Sequence, residues 1–156
     1  MKKVLKWIGA GLLLAFLAIQ FVPVSRKNPP VESEIPAPAE VRGILRRACY
    51  DCHSNETVWP WYARVAPASW LVAHDVEEGR EHMNFSTWNL VPARKQAALP
   101  EKIWEEVEEG EMPLWYYLPA HPAARLSAAD RSVLRAWSHQ GSGVRQGQET
   151  EGGDSD

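Results

Sequence analysis

The sequence is poor in the ligands that most metal and thiol sites need. Its 156 residues contain only two cysteines, Cys49 and Cys52. A zinc site would need a second close pair of Cys or His, but His74 and His82 stand eight residues apart and the remaining histidines are isolated. A thiol–disulfide site usually follows a strand in a βαβ pattern, and no such pattern surrounds these cysteines. Both kinds of site are therefore disfavoured.

The chain also lacks an excess of basic residues. Removing Lys2, Lys3 and Lys6 from the 17 basic residues leaves 14 against 20 acidic ones, a net charge near −6 for the rest of the chain. We expect no nucleic-acid partner, because such binding needs a basic face. The acidic run over 101–111 is typical of a solvated helix face, and its alternative role is to steer a basic partner.

What the sequence does contain is the motif C-x-x-C-H, in Cys49-Tyr50-Asp51-Cys52-His53. This is the attachment pattern of a c-type haem. Two thiols separated by two residues can form thioether bonds to both haem vinyl groups. The adjacent His53 is then in place to bind the iron as the proximal ligand. The motif predicts one covalent haem c, held through Cys49 and Cys52.

The N-terminus carries an uncharged run of 16 residues from Trp7 to Val22. As a helix it would span about 24 Å, slightly short of the roughly 30 Å of a hydrocarbon core. Flanking apolar residues and a snorkelling Lys6 can supply the difference. We predict a transmembrane anchor over 1–25, and a cleaved signal peptide is the alternative. The lysines before the run predict a single pass through a bacterial inner membrane, with the rest of the chain on the periplasmic side.

The remaining chain divides into three parts. Five prolines between 23 and 39 predict an extended, semi-rigid tether over 26–39. The tail over 141–156 has almost no apolar side chains and is expected to be disordered. One domain of about a hundred residues is left, over 40–140, and it is large enough for a modest core.

Helical periodicity predicts that this domain is all-α. Val41, Ile44, Leu45 and Ala48 form an apolar stripe that leads directly into the cysteine motif. Further helices are predicted over 68–82 and over 101–109, where Pro100 begins the helix and Gly110 ends it. The last helix opens at a capping box formed by Ser127 and Asp130, carries Val133, Leu134 and Trp137 towards the core, and closes at Gly141. No segment is predicted to be a strand.

Three aromatic residues follow the motif closely: Trp59, Trp61 and Tyr62. Pro60 lies between them and disfavours a regular helix. We expect a loop that lays these rings over the haem, and the alternative is an aromatic patch in an ordinary small core.

A second axial ligand would complete the iron coordination. The candidates are Met83, Met112, His74, His82, His121 and His139. Met112 is favoured because Gly110-Glu111-Met112-Pro113 is a stiff loop just past a helix end, and a thioether favours the reduced iron. Met83 lies on a helix stripe, where methionine usually fills the core. His121 would give a bis-histidine iron of lower potential, and an open sixth site is a further alternative.

The domain resembles a small bacterial haem-binding family related to cytochrome c. The similarity covers residues 41–137. It is carried by the cysteine motif together with three later segments: Trp59-Pro60-Trp61-Tyr62, Asn84-Phe85-Ser86 and Gly110-Glu111-Met112-Pro113. The resemblance implies a cytochrome c-like all-α fold, covalent haem and an exported, often membrane-tethered protein.

The favoured function is a one-electron carrier with an unidentified redox partner protein, and an enzyme is less favoured. The alternatives are a haem-based sensor with a labile sixth site and a catalytic haem. A peroxidase would need a distal acid/base pair, for which His74 or His82 with Arg80 are the candidates.

Overall fold

The computed structural model describes residues 1–150, and the described chain is mostly helical. Its seven α-helices are α1 (Lys2–Ile19), α2 (Ala39–Ala48), α3 (Tyr50–His53), α4 (Ala68–His82), α5 (Ala93–Gln96), α6 (Leu99–Glu109) and α7 (Ala128–Thr150). Short 3-10 turns lie at Trp61–Arg64, Trp88–Leu90 and Pro122–Ala124. Over the described range there is no strand, and a single parallel bridge joins Ser33 to Thr87. The predicted all-α class is confirmed for this part of the chain.

The core forms where α2, α6 and α7 meet. The stripe predicted for α2 is confirmed, because Val41, Ile44, Leu45 and Ala48 are its buried residues. Ile103 and Val107 of α6 and Leu134 and Trp137 of α7 belong to the same buried set. Helix propensity alone would not hold so short a helix as α2, so its apolar stripe supplies the stability.

Helix ends follow the predicted signals closely. α4 has the predicted bounds, and α6 begins two residues earlier than expected, so Pro100 lies in its first turn. Gly110 ends α6 with a φ of 81°, a left-handed conformation that favours glycine.

The start of α7 is the predicted capping box. The Ser127 amide donates to Asp130 Oδ2 at 2.8 Å, and the Asp130 amide donates to Ser127 Oγ at 3.1 Å. α7 continues past Gly141, where the sequence predicts its end. No proline lies between Gly141 and Thr150 to stop the helix. The last part of the predicted disordered tail, 151–156, lies outside the described residues.

The proline-rich segment predicted as a tether over 26–39 has no helix before Ala39, where α2 begins, and it packs against the domain. Ile35 is buried in the core. The amides of Glu32 and Ser33 both donate to the Ser86 carbonyl, and Asn55 Nδ2 donates to the Pro30 carbonyl at 2.7 Å. The prolines favour an extended backbone, and the polar groups of that backbone find partners in the domain. The segment therefore adds a layer to the fold.

α1 has no buried residue and carries its apolar side chains in the open. None of the helices in the described chain combines the length and apolar character needed to cross a bilayer. The predicted transmembrane helix over 1–25 is therefore not supported. Lys2, Lys3 and Lys6 lie inside α1, and the helix stops at Ile19, so its uncharged part is only about 20 Å long against a core of about 30 Å.

Candidate haem site

A cavity of about 470 Å³ opens between α3, α4, α6 and the loop after α6. This volume lies in the range of roughly 300–1,000 Å³ typical of cofactor sites. Its lining includes Cys49, Cys52, His53 and Met112. Four residues predicted as haem ligands, from two distant parts of the sequence, therefore face one cavity.

α3 is one helical turn, and it presents the motif. The amide of Cys49 still donates to the Leu45 carbonyl of α2 at 2.8 Å, and the His53 amide donates to the Cys49 carbonyl at 2.8 Å. α2 therefore passes directly into the motif and fixes where both thiols lie. Burial raises the pKa of Cys49 and of Cys52 to about 12, so both are held as neutral thiols.

Gly79 of α4 lets the motif pack closely against that helix. A Cβ atom placed on Gly79 would lie 2.8 Å from the Cys52 carbonyl oxygen and 3.1 Å from Cys52 Cβ. Contacts this short require glycine at position 79. The sequence does not reveal this role of Gly79, because the contact joins residues that are distant in sequence.

His53 is oriented by two backbone carbonyls. Its Nδ1 lies 2.8 Å from the Gly79 oxygen and 3.1 Å from the Met83 oxygen. Carbonyls only accept hydrogen bonds, so Nδ1 carries the proton and Nε2 keeps its lone pair. This is the arrangement that metal-binding histidines usually have. Burial lowers the pKa of His53, which favours the neutral ring that a metal needs.

Arg80 holds the chain on either side of the motif in place. Its Nε donates to the Ser54 carbonyl at 2.8 Å, and one terminal nitrogen donates to both Asn28 Oδ1 and Thr57 Oγ1 at 2.9 Å. The other terminal nitrogen donates to the Lys27 carbonyl at 3.0 Å. These bonds occupy the guanidinium, and Arg80 does not line the cavity.

Met112 reaches the cavity from the loop just past α6. The amides of Gly110, Glu111 and Met112 all donate to the Glu106 carbonyl, the last two at 3.0 Å. The left-handed Gly110 makes this tight reversal feasible. The end of α6 therefore sets where the Met112 side chain leaves the backbone.

Two tyrosines in the same loop also line the cavity, a role that the sequence did not predict. Tyr117 donates to Asp51 Oδ2 at 2.7 Å, and Tyr116 donates to Asp75 Oδ1 at 3.2 Å. Burial is the main cause that raises the pKa of each tyrosine and of Asp75. The pairs connect the loop to α3 and α4 across the cavity. The aromatic run that begins one residue after Met112-Pro113-Leu114, at Trp115, was a signal for the two tyrosines, but their partners are too distant in sequence to predict.

The three aromatics after the motif do not line this cavity. Trp59 lies at a separate groove and donates to Asn28 Oδ1 at 3.2 Å, Trp61 is exposed, and Tyr62 packs edge-on to His121. Phe85 lines the cavity instead, and its ring centroid lies 6.1 Å from that of the His53 ring. The rings that line the cavity are therefore not the ones that were expected over the haem.

Of the other candidates for the second iron ligand, only Met83 and His82 line the cavity. Met83 lines the cavity, but its carbonyl accepts the His53 Nδ1 proton. His82 lies at the cavity edge and is exposed. His121 is outside the lining and stacks on Tyr117 with 3.8 Å between ring centroids. His74 and His139 are exposed and also lie outside the lining.

The residues present fit a haem. A mostly apolar cavity holds two thiols, a histidine with a free Nε2 and a thioether, which together match the donors of a c-type centre. Comparison with curated proteins and with solved structures gives no match. A family model for a haem-binding domain matches residues 14–140. Since that match covers most of the chain, the protein belongs to this haem-binding domain family.

Proposed function

We propose that this protein binds one haem covalently through Cys49 and Cys52 and carries single electrons. The observation that supports this most strongly is that both thiols, His53 and Met112 line one cavity. When bound, a haem supplies an iron that cycles between two oxidation states. The protein would supply both axial ligands and a largely apolar surround.

Covalent attachment would use the thiols as the motif presents them. Cys49 and Cys52 would each hold the haem through a thioether, with the S–H adding across one vinyl group so that the thiol hydrogen goes to the other vinyl carbon and no net oxidation is needed. The raised pKa values of Cys49 and Cys52 mean that the buried thiols are weak nucleophiles without assistance. We expect attachment in cells that contain a c-type maturation system.

The proposed axial pair is His53 and Met112. The Met83 carbonyl accepts the hydrogen bond from His53 Nδ1. The Met83 backbone therefore belongs to the wall of the cavity that carries His53, the proposed proximal ligand. Met112 comes from the loop after α6, which forms another wall of the cavity. A second ligand from a separate wall is what a six-coordinate iron needs.

A carrier is favoured over a catalytic haem by the position of Arg80. A peroxidase-type reaction would call for a distal arginine near the iron. Arg80 is held by four hydrogen bonds away from the cavity, to Ser54, Lys27, Asn28 and Thr57. The candidate acid/base pair with His74 or His82 therefore lacks its arginine.

The proposed location is the outer face of a bacterial inner membrane, with α1 as the membrane-binding element. Two features support it: apolar side chains are exposed along α1, and Lys2, Lys3 and Lys6 lie at its start. The aliphatic stems of these lysines, with Phe21 and Val22 beyond the helix, lengthen the apolar surface. A reporter enzyme fused after Asp156 should be active only when the fusion is exported.

The direct test is haem staining after denaturation. Protein co-expressed with a c-type maturation system should give a haem-positive band on a denaturing gel, and Cys49→Ser or Cys52→Ser should remove most of it. A haem-free band, in cells that mature another c-type cytochrome, would exclude covalent attachment.

A second measurement separates the carrier from the sensor. Reduced protein with both axial positions filled should bind carbon monoxide slowly and poorly. Rapid binding by the unmodified protein would show a labile sixth site and favour the sensor.

A further inference from the structure

Acidic residues are absent from two separate stretches of this otherwise acidic chain. The first 31 residues carry five basic residues and no acidic one, so all 20 acidic residues follow them. A second stretch, 57–74, also has no acidic residue and contains one arginine, Arg64, which is exposed. Charge is therefore strongly asymmetric along the sequence.

The second stretch exposes large apolar side chains. Trp61, Val65, Trp70 and Leu71 are all exposed, and we call these four residues the apolar face. Trp61 lies on the 3-10 turn at Trp61–Arg64, Val65 directly follows that turn, and Trp70 and Leu71 lie in the first turn of α4. The two elements are joined because the Ser69 amide donates to the Val65 carbonyl at 2.9 Å. None of the four lines the haem cavity.

The fold brings these two stretches together. Gln20, at the end of α1, accepts from the Ala66 amide at 2.9 Å and donates to the Ala66 carbonyl at 3.2 Å. Arg26 donates to the Ala63 carbonyl at 3.2 Å. Both contacts fall inside the segment that carries the apolar face. The end of the exposed apolar helix is therefore fixed beside a second exposed apolar surface.

We infer that the apolar face rests on the surface of a lipid bilayer that contains anionic lipids. The inference depends on the proposed membrane binding of α1 and adds the orientation of the domain. Tryptophan favours the membrane–water interface, and basic residues near it are attracted to anionic lipids. Arg26, Lys27 and Arg64 would provide that attraction, and neither stretch contains an acidic residue. The acidic residues that line the groove beside Trp70 are Glu77 and Glu81, which lie further along α4.

This orientation leaves the haem cavity accessible. Trp115 and Tyr116, beside the cavity, are exposed but belong to neither acid-free stretch. The wall between the two sites is α4, since Trp70 and Ala73 face the groove near the tether while Asp75 and Gly79 face the cavity. A redox partner could therefore approach the cavity while Trp70, in the first turn of α4, lies against lipid.

Trp61 and Trp115 provide a matched pair for the test, because they are 77% and 79% exposed. The full-length holoprotein is reconstituted in vesicles of phosphatidylethanolamine and phosphatidylglycerol, and tryptophan oxidation by hydroxyl radicals is mapped by mass spectrometry. We expect Trp61 to be protected and Trp115 to be oxidised freely. The variant Gln20→Ala/Arg26→Ala should remain in the vesicle pellet but lose the protection of Trp61.

Each other outcome would overturn the inference in a distinguishable way. Equal oxidation of Trp61 and Trp115 in pelleted protein would show that α1 binds the membrane while the face stays free. Protein that does not pellet with vesicles would overturn the membrane proposal as well. Protection of Trp61 without vesicles, together with a doubled mass in light scattering, would assign the face to a second copy of the chain.

Discussion

The two sides of the haem cavity are held by different kinds of contact. On the motif side, the contacts are to the backbone: Gly79 packs against Cys52, and two carbonyls orient the His53 ring. On the loop side, Met112 follows a glycine-capped helix end, and side-chain pairs such as Tyr117 with Asp51 connect the loop to the motif. Backbone contacts tolerate little change in side-chain size, whereas side-chain pairs can be lost singly. We therefore expect substitutions on the motif side to prevent haem binding and those on the loop side to change its properties.

The largest effect on haem binding is expected for Gly79→Ala. Its Cβ would lie 2.8 Å from the Cys52 oxygen, so α3 and α4 must move apart. We expect a loss of about 1–3 kcal/mol in the free energy of unfolding, as for other overpacked sites, and a strong fall in the yield of holoprotein. Denaturant unfolding and haem staining measure the two effects.

Gly43→Ala is the matched control for that substitution. Gly43 lies inside α2, and a Cβ atom added to it would have no neighbouring atom within 4 Å, so the new methyl group meets open space. The substitution should be neutral or stabilise the protein by up to about 1 kcal/mol. If both substitutions behave alike, close packing at Gly79 is not what the motif needs.

Met112→Leu tests the loop side. Loss of a thioether ligand should erase the weak band near the red end of the oxidised spectrum and let carbon monoxide bind quickly. The reduction potential should fall by about 0.1 V, a small part of the roughly 0.8 V range of potentials that different axial ligands produce. Met83→Leu, in the same cavity, should keep the band. The reverse pattern would make Met83 the ligand.

Tyr117→Phe should weaken the loop without abolishing haem attachment. It removes the donor that Asp51 accepts at 2.7 Å, and hydrogen bonds to charged groups contribute about 1.5–3 kcal/mol. Tyr116→Phe removes a longer bond, at 3.2 Å, from a more exposed side chain, and should cost less. Thermal unfolding of the two variants ranks the pairs, and equal losses would contradict the ranking.

Tyr117 also predicts how stability depends on pH. Its pKa is raised in the folded protein, chiefly by burial, so folding favours the neutral phenol. The stability from this group is present below the unfolded pKa of about 10 and is lost as the pH rises beyond it. Tyr117→Phe should therefore flatten the decline in stability above about pH 10. An unchanged decline would assign it to other groups.

The smallest effect is expected away from the cavity, at Asp130. Hydrogen bonds from Arg47 and then Ser127 lower the pKa of this carboxyl to about 2. Its contribution is present above the unfolded pKa of about 3.9 and is lost as the pH falls towards 2. Asp130→Asn should cost about 1 kcal/mol, as for other cap changes, and should leave the haem spectrum unchanged. A changed spectrum would mean that the α2–α7 contact reaches the site.

Local patterns predicted much of the helical domain. The stripe of α2, the bounds of α4 and the Ser127–Asp130 cap each depend on residues within a few positions of one another, and periodicity and capping rules describe such sets well. The motif likewise named Cys49, Cys52 and His53, because its spacing is local.

Long-range contacts were beyond prediction. The packing of Gly79 on Cys52 joins residues 27 positions apart, and Tyr117 reaches Asp51 across 66. The aromatics after the motif were expected over the haem, but they do not line the cavity, because proximity in sequence does not determine which surface a ring joins. The transmembrane prediction counted uncharged residues, whereas the helix ends at Ile19 and includes three lysines.

The packed segment between α1 and the domain has a mechanical consequence. A flexible linker of fourteen residues, 26–39, would let its two ends wander over about 20 Å. Bonds from Asn28 and to Pro30, with Ile35 in the core, remove that freedom. The segment therefore fixes α1 relative to the domain. A surface that binds α1 would also set the direction in which the haem cavity opens. Electron exchange would then require partners that arrive from that direction, because the domain cannot swing to meet them.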